Sequence, residues 1–316
     1  MPEGDTIYRA ARALQKAIGG KPVTAFEANV ATLASVADDK GIIGRTVEKV
    51  EARGKWCLIH FSGDLILVTH MLMSGSWHIY RVGEKWFSPR RSMRCSITTG
   101  DFIAVAFNVP VTEFHTERSL ARYSQVPKLG VDILSDGYST EAGIAALRNY
   151  ATQNPDAETG VTLLNQRVMA GLGNVYKSEV PFAAGVNPFR HLSTLTEREL
   201  EVMAEVSGRY MRANINDGSD SNNTDGIVTY SGNRRTTHSM NAGDRLWVYG
   251  RQGQECRRCG ALVMMRKQGE QARSTYWCPG CQPWIASAAQ AASGVSLEAP
   301  VGRMTKLLGP RRKVGC

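Results

Sequence analysis

Two Cys-x-x-Cys pairs near the end of the chain constrain its fold more than any other feature of the sequence. Cys256 and Cys259 form the first pair, Cys278 and Cys281 form the second, and eighteen residues separate the two pairs. Four thiolates at this spacing suit a tetrahedral zinc ion that joins two short hairpins, each too small to fold alone. A site closed by four cysteines leaves no open coordination position, so we predict one structural Zn²⁺ ion and no catalytic metal.

The other cysteines and the net charge indicate the compartment and the partner. Cys57, Cys95 and Cys316 stand alone, and a metal pattern with unpaired cysteines is typical of a reducing compartment; the sequence assigns these three no function. A net charge of +9 favours a polyanionic partner, with nucleic acid ahead of a membrane surface. No apolar run reaches about 18 residues and no signal peptide is evident, so we expect a cytoplasmic, nucleoid-associated protein.

Composition and hydrophobic periodicity divide the chain into four regions. Hydrophobic residues make up 42% of it and charged residues 21%, as in globular proteins. We predict a multidomain α+β protein: a β-sandwich with an N-terminal helix over residues 1–130, a helical domain over 131–245, the cysteine module over 246–283 and a disordered tail over 284–316. The loop Asp217–Gly226, rich in Asp, Ser, Asn and Gly, is expected to be mobile.

The spacing of apolar residues predicts the individual helices and strands. Apolar residues at helical spacing predict a helix from Asp5 to Ile18, which the glycines after it end. Short β-type runs separated by turn residues predict antiparallel strands at Trp56–Phe61, Leu65–Thr69 and Phe102–Phe107. Further helices are expected at Thr140–Tyr150, Gly160–Met169, Asn174–Ala183 and Thr196–Ile215.

The opening residues carry the chemistry of a nucleophile. With Met1 removed, Pro2 has a secondary amine whose attack on an aldehyde-like carbon gives a cationic iminium. The positive end of the following helix favours the neutral form of this amine. Glu3, one residue away, can move protons to and from a sugar. The alternative is that these residues only begin a helix, with Asp5 as its N-cap.

A second motif, Gly171-Leu-Gly-Asn174-Val-Tyr-Lys-Ser-Glu179, follows an apolar helical pattern. A glycine turn before asparagine indicates a helix start whose free N–H groups and dipole could hold a phosphate. The alternative is a plain corner between two helices, with Asn174 as N-cap.

Three other positions are candidates for contacts with a nucleic acid. Lys55 lies at a predicted turn and matters only if the fold brings it back to the N-terminus. Arg273 is expected near the tip of a hairpin between the cysteine pairs, where it could grip phosphate. The stretch Met71-Leu72-Met73 ends a strand; one of the three could be a wedge that fills the gap left by an extruded base, whereas periodicity places two of them in the core.

Together these motifs resemble the formamidopyrimidine-DNA glycosylase and endonuclease VIII family over residues 1 to about 283. The resembling segments are Pro2-Glu3-Gly4, Arg53-Gly54-Lys55, Gly171 to Glu179, and the finger ending Tyr276-Trp-Cys-Pro-Gly-Cys281-Gln. The resemblance implies a β-sandwich joined to a helix–two-turn–helix domain with a zinc finger, and a monomer that excises an oxidised base flipped from damaged DNA.

The resemblance also implies a role for each matched residue. Pro2 is the Schiff-base nucleophile, Glu3 is the proton donor to the sugar, and Lys55 assists catalysis and contacts phosphate. Asn174 grips the phosphate beside the lesion, Arg273 binds phosphate and serves δ-elimination, and Lys128 matches a basic DNA contact. Leu72 or Met73 is the wedge.

The branch of the family, and with it the substrate, is read from smaller features. Gly4-Asp5-Thr6 resembles endonuclease VIII, and the other branch's Arg-Phe-Gly-type loop is replaced by Asn108-Val-Pro-Val-Thr-Glu113. Oxidised pyrimidines are therefore favoured over 8-oxoguanine. The tip Met71 to Gly75, however, resembles the formamidopyrimidine branch, and Leu72 stands where endonuclease VIII often has glutamine.

Two competing interpretations stay open at this point. One keeps the fold but makes AP-site or single-strand processing the main activity. The other is a noncatalytic zinc-ribbon DNA-binding protein in which Pro2 and Glu3 only lead into a helix.

Overall fold

The computed structural model describes residues 2–123, 126, 128–215, 234–237 and 241–285. Most of the predicted tail with Cys316, and the loop Asp217–Gly226, lie outside the described residues. Among those described, no helix combines the length and the apolar character needed to span a membrane.

The N-terminal helix α1, Gly4–Ile18, joins the sandwich to the helical part of the chain. Its apolar positions recur at helical spacing, so one face is continuously buried, with Ile7, Leu14 and Ile18 at most 1% exposed. That face packs mainly on one sheet of the sandwich, whereas the first turn lies against the later glycine motif. The predicted helix over Asp5–Ile18 is confirmed.

Two four-stranded antiparallel sheets form the sandwich, as the short β-type runs predict. One sheet has the order β2–β3–β4–β8, with strands Val47–Arg53, Trp56–Phe61, Leu65–His70 and Val111–His115. The other has the order β1–β6–β7–β5, with strands Ala25–Ala28, Met93–Thr99, Phe102–Phe107 and Ser76–Arg81. Helix α2, Ala31–Lys40, and the short α3, Glu117–Leu120, lie at its edges. Leu67, Trp77 and Ile97 are fully buried in the core that the sandwich shares with α1.

The helical unit contains α4 (Thr140–Gln153), α5 (Thr159–Leu164), α6 (Tyr176–Ala184) and α7 (Glu197–Ile215). Three of the predicted helices are confirmed to within a few residues, but the one predicted over Gly160–Met169 is wrong in its second half. The side chain of Asn165 accepts the N–H of Arg167 at 3.0 Å, which gives the backbone an alternative to continuing the helix. Met169 and Ala170 instead form strand β10, paired in parallel with β9, Val131–Asp132.

The cysteine module ends the described chain as a small finger. Its hairpin consists of β11, Met264–Gln268, and β12, Arg273–Trp277, joined by a turn in which Gly269 and Ala272 adopt positive φ. The finger rests on α6 through Phe182, which packs with Val248 and Val263 in one cluster. So small a cluster cannot stabilise the module alone.

Candidate active site

The glycine motif holds the N-terminus of the chain in place. Gly4 donates its N–H to the carbonyl of Gly171 at 2.9 Å. A Cβ added to Gly173 would lie 2.2 Å from Cδ of Glu3, and Gly171 adopts a φ of +102°. Both positions therefore require glycine, because any side chain at Gly173 would displace the Glu3 carboxylate and an L residue at Gly171 would be strained.

Glu3 is fully buried, with one of its two oxygens free. Oε1 accepts the N–H of Val175 at 2.9 Å, and Nη1 of Arg234 lies 3.8 Å from the same oxygen. No described residue bonds Oε2, although that atom is buried. A buried carboxylate oxygen without a hydrogen-bond partner costs folding free energy. Such an oxygen is typical of a functional group that bonds its partner only when a substrate is present.

Asp5, Tyr176 and Arg234 form a buried network beside Glu3 that the sequence analysis did not identify. Asp5 accepts two hydrogen bonds from Arg234, at 2.6 and 2.7 Å, and one from the Tyr176 hydroxyl at 2.9 Å. Burial alone would raise the pKa of Asp5, but the Arg234 charge and these hydrogen bonds outweigh it and hold the pKa below its usual value. Glu3, with extended backbone, is the N-cap of α1, so the interpretation of Asp5 as N-cap is wrong.

The turn between β2 and β3 does bring Lys55 back to the N-terminus. The Gly54 N–H donates to Oδ2 of Asp132 at 2.8 Å, and Gly54, with φ of +60°, faces Leu129 and Ala170. Burial lowers the pKa of Lys55; the charge of Glu3 opposes this effect and that of Arg273 adds to it. Lys55 is therefore within electrostatic reach of both the N-terminus and the finger.

Asn174 lies at the rim of the same site, only 7% exposed. Helix α6 begins at Tyr176 with Val175 as its N-cap and no side-chain cap, so the prediction of Asn174 as N-cap is wrong. Its buried Oδ1 has no partner among the described residues. A phosphate only accepts hydrogen bonds, so it would be bound through the Nδ2 donor of Asn174, which no described residue accepts from.

Three consecutive residues of α6 fasten the finger to this helix. Lys177, fully buried, donates to the Arg273 carbonyl at 3.4 Å, and burial lowers its pKa to about 8, with the Arg273 charge adding to the effect. Ser178 Oγ accepts the Tyr276 N–H at 3.1 Å. Glu179 accepts three backbone N–H groups at 2.8–2.9 Å, from Trp247, Val248 and Tyr249. The finger is thus attached to the first half of one short helix, close to Asn174, which precedes that helix.

Two predicted DNA contacts are exposed, and one prediction about the strand tip is wrong. Arg273 begins β12 with its side chain exposed, and Lys128 is exposed as well. We name residues 71–75 the wedge loop: Met71 is 2% exposed, Leu72 46% and Met73 64%. Periodicity predicted two of these in the core, but β4 ends at His70, whose Nδ1 accepts the Leu72 N–H at 3.1 Å in a tight turn. Only Met71 is buried, because the alternation stops with the strand.

The four finger cysteines fit a tetrahedral metal ion. Their Sγ atoms all lie within 4.8 Å of one another, with Cys256 to Cys281 at 3.8 Å and Cys259 to Cys278 at 3.4 Å. Zinc–sulfur bonds of about 2.3 Å in a tetrahedron give sulfur–sulfur separations of about 3.8 Å. The donor set therefore matches a structural zinc site.

Known families match most of the chain. The Formamidopyrimidine-DNA glycosylase N-terminal domain matches residues 1–112, and the Formamidopyrimidine-DNA glycosylase H2TH domain matches residues 129–225. Together they span the sandwich and the helices that carry the site.

Curated relatives and solved structures cover nearly the same length. A Streptomyces coelicolor protein named "Probable endonuclease 8 2" is 35% identical over 89% of this chain and 94% of its own. A Mycolicibacterium smegmatis protein named DNA-(apurinic or apyrimidinic site) lyase Nei2 is 34% identical over 89% and 99%. The fold matches the Lactococcus lactis Fpg in its complex with DNA containing an abasic site, with TM-score 0.71, 22% identity and coverage of 89% and 99%.

Proposed function

The chain belongs to the formamidopyrimidine-DNA glycosylase and endonuclease VIII family, and from this premise we infer that it is a bifunctional DNA glycosylase and AP lyase of base excision repair. The observation that carries the assignment to this site is the buried Glu3 carboxylate, held by the glycine motif with one oxygen free, next to Pro2. A noncatalytic zinc-ribbon protein has no use for such an arrangement. The relatives named endonuclease 8 and AP lyase also favour the enzyme.

In the reaction assigned to Pro2, one bond to C1′ forms, and the glycosidic, C1′–O4′, C3′–O and C5′–O bonds break in turn. The secondary amine of Pro2 attacks C1′ of the damaged nucleotide, and the base leaves with the proton that the amine loses. Cleavage of the C1′–O4′ bond then opens the sugar ring and leaves a cationic iminium. Loss of a C2′ proton then breaks the C3′–O bond, and a further elimination breaks the C5′–O bond. Glu3 supplies the proton that opens the sugar ring through its unpartnered oxygen, while Arg234 and the Val175 N–H hold the other oxygen still.

The cations around the site suit the phosphates on either side of the lesion. The charge of Glu3 acts on Lys55, which places this ammonium group near the site, where it would neutralise a phosphate during elimination. Arg273 approaches from the finger, and Asn174 from the start of α6. Lys128 adds a more distant contact, and the exposed Leu72 and Met73 offer apolar wedges for the gap left by the extruded base.

Zinc supplies structure rather than chemistry in this proposal. Cys256, Cys259, Cys278 and Cys281 would hold one Zn²⁺ ion and so fix the hairpin that presents Arg273. The protein acts as a monomer on damaged duplex DNA, with single-stranded DNA as a second substrate form, and it resides with the nucleoid.

The substrate class proposed is oxidised pyrimidines, with 8-oxoguanine, formamidopyrimidines or bare AP sites as the alternatives. A panel of duplex and single-stranded oligonucleotides, each with one lesion, is the direct test. Single-turnover excision is expected to be fastest on an oxidised pyrimidine in duplex DNA, and strand cleavage is expected to follow. Faster release of 8-oxoguanine would contradict the assignment to the endonuclease VIII branch. Cleavage of AP sites alone would contradict the proposed glycosylase activity.

Substituting Asn174 by alanine is expected to weaken binding more than chemistry. Loss of a hydrogen bond to a charged phosphate raises the Kd for a duplex with a stable abasic analogue by about 10- to 100-fold. Fluorescence anisotropy gives this value, and single-turnover cleavage with saturating enzyme should change little. Asn154→Ala, the same substitution at the C-cap of α4, serves as the control. A defect confined to the chemical step would contradict the phosphate-binding role.

A further inference from the structure

The loop between β5 and β6 presents an aromatic side chain to solvent. We name residues 82–92 the aromatic loop; its Phe87 is 88% exposed, the largest value among the large hydrophobic side chains of the described residues. A single exposed leucine or valine needs no explanation, but a phenylalanine with almost its whole surface in water is unusual for a side chain without a partner.

The residues around Phe87 pack on the sheet and hold its side chain outward. The ring of Trp86 stacks on Tyr80 at 6.1 Å and meets Phe107 edge-on at 5.8 Å, and Arg90 lies over the Trp86 ring at 5.4 Å. The Phe87 N–H donates to the Tyr80 hydroxyl at 3.1 Å. One aromatic residue of the loop thus fills the outer face of the sheet while the next points away from it.

The aromatic loop adjoins the wedge loop. Ser92, its last residue, accepts the N–H of Asn108 at 2.8 Å, and the Asn108 carbonyl lies 3.5 Å from the hydroxyl of Ser74 in the wedge loop. In addition, Phe107, which Trp86 contacts, pairs in the sheet with Ser76. The wedge loop and the Ser92 end of the aromatic loop therefore lie at the same end of this sheet.

Charge on the loop favours a polyanion over an apolar partner. Residues 82–92 contain three cations, Lys85, Arg90 and Arg91, and one anion, Glu84. Glu84 is engaged by the Arg81 N–H and Arg90 pairs with Glu27, whereas Lys85 and Arg91 are exposed. An exposed ring flanked in sequence by two cations can make an apolar contact with DNA while the cations neutralise its phosphates.

We propose that the aromatic loop is a second DNA contact, in which Phe87 packs against the duplex on the wedge-loop side of the lesion and Lys85 and Arg91 bind its phosphates. The proposal rests on the proposed function, because it extends the surface on which damaged DNA would lie. This contact would strengthen binding and fix the position of the duplex along the protein, without contacting the reacting atoms. Phe87 is therefore a binding residue and not a catalytic residue.

The test compares Phe87→Ser with Phe87→Trp and with Val82→Ser, which alters another exposed apolar residue of the same loop. Binding is measured by fluorescence anisotropy on duplexes that contain a stable abasic analogue. One duplex is long on both sides of the analogue, and two others are each shortened on one side. Loss of an aromatic contact to DNA is expected to raise the Kd of Phe87→Ser about tenfold on the long duplex. Phe87→Trp and Val82→Ser should bind like the wild type, and single-turnover cleavage at saturating enzyme should be unchanged in all three.

Duplex length locates the contact and separates this inference from the proposed function. The Phe87→Ser defect should disappear on one of the two shortened duplexes, on which the wild type should also bind more weakly. Equal affinity of Phe87→Ser and wild type on the long duplex would overturn the proposal and leave the loop to a protein partner, while the glycosylase assignment stands. A wild type that fails to bind or cleave any lesion duplex would overturn the proposed function itself, and this inference with it.

Discussion

Borohydride reduction of the protein on a duplex with an AP site is expected to give a stable protein–DNA adduct whose crosslink maps to Pro2. The iminium formed at C1′ is the reducible species, and it requires the free secondary amine that appears when Met1 is removed. An N-terminal extension should abolish trapping, because an amide nitrogen has no nucleophilic lone pair. Pro2→Gly keeps an α-amine and should retain some trapping with poorer geometry.

Glu3→Gln supplies the matched control for this experiment. It should lose excision of a damaged base by about 100-fold or more, the usual range for removal of a general acid. Cleavage of a preformed AP site should suffer far less, since no base has to be expelled. Mass spectrometry of the active fraction should find chains that begin at Pro2. Fully active chains that all retain Met1 would contradict the role of Pro2 as nucleophile. A crosslink at Lys55 with Pro2 unmodified would also contradict it, but the lyase activity would then be assigned to Lys55.

Removal of zinc is expected to abolish tight binding of lesion DNA while the β-sandwich stays folded. The finger has only a small apolar cluster of its own, so metal binding must supply most of its folding free energy. Without it, the hairpin that carries Arg273 has no fixed position. Anisotropy with a chelated, refolded sample, together with circular dichroism and zinc content, measures both parts of the expectation.

Cys278→Ser should reproduce the effect of chelation, because it removes one of four ligands from a closed site. Cys316→Ser, a cysteine outside the cluster, is the control for thiol loss and should bind normally. A verified metal-free protein with unchanged affinity for lesion DNA would contradict the role assigned to the finger.

Local patterns predicted the elements well, because helices and strands depend on neighbours in sequence. The amphipathic α1 and the paired strands β3 and β4 were predicted to within a residue or two. The exceptions have local causes that periodicity does not include. Asn165 captures a backbone N–H and stops α5, and the tight turn after His70 exposes Leu72.

The candidate site was predictable only in part, because its contacts join distant parts of the chain. The resemblance implied that Pro2, Glu3, Lys55 and Asn174 share a site. In the fold, Glu3 bonds Val175, the neighbour of Asn174, and its charge acts on Lys55; the shared role of the four residues stays a prediction. Nothing in the local sequence could predict that Arg234 would bind Asp5, since the two are 229 positions apart and neither lies in a recognisable pattern with the other. Long-range ion pairs of this kind need the fold.

The bond between Glu3 and Val175 joins residues 172 positions apart, which has a consequence for synthesis of the protein on the ribosome. The residues proposed as nucleophile and acid emerge first, yet their holders, the glycine motif and Arg234, emerge much later. A nascent chain with only its sandwich complete has Pro2 and Glu3 unsupported. In the proposed mechanism, the site is therefore complete only after Arg234 has left the ribosome, late in translation.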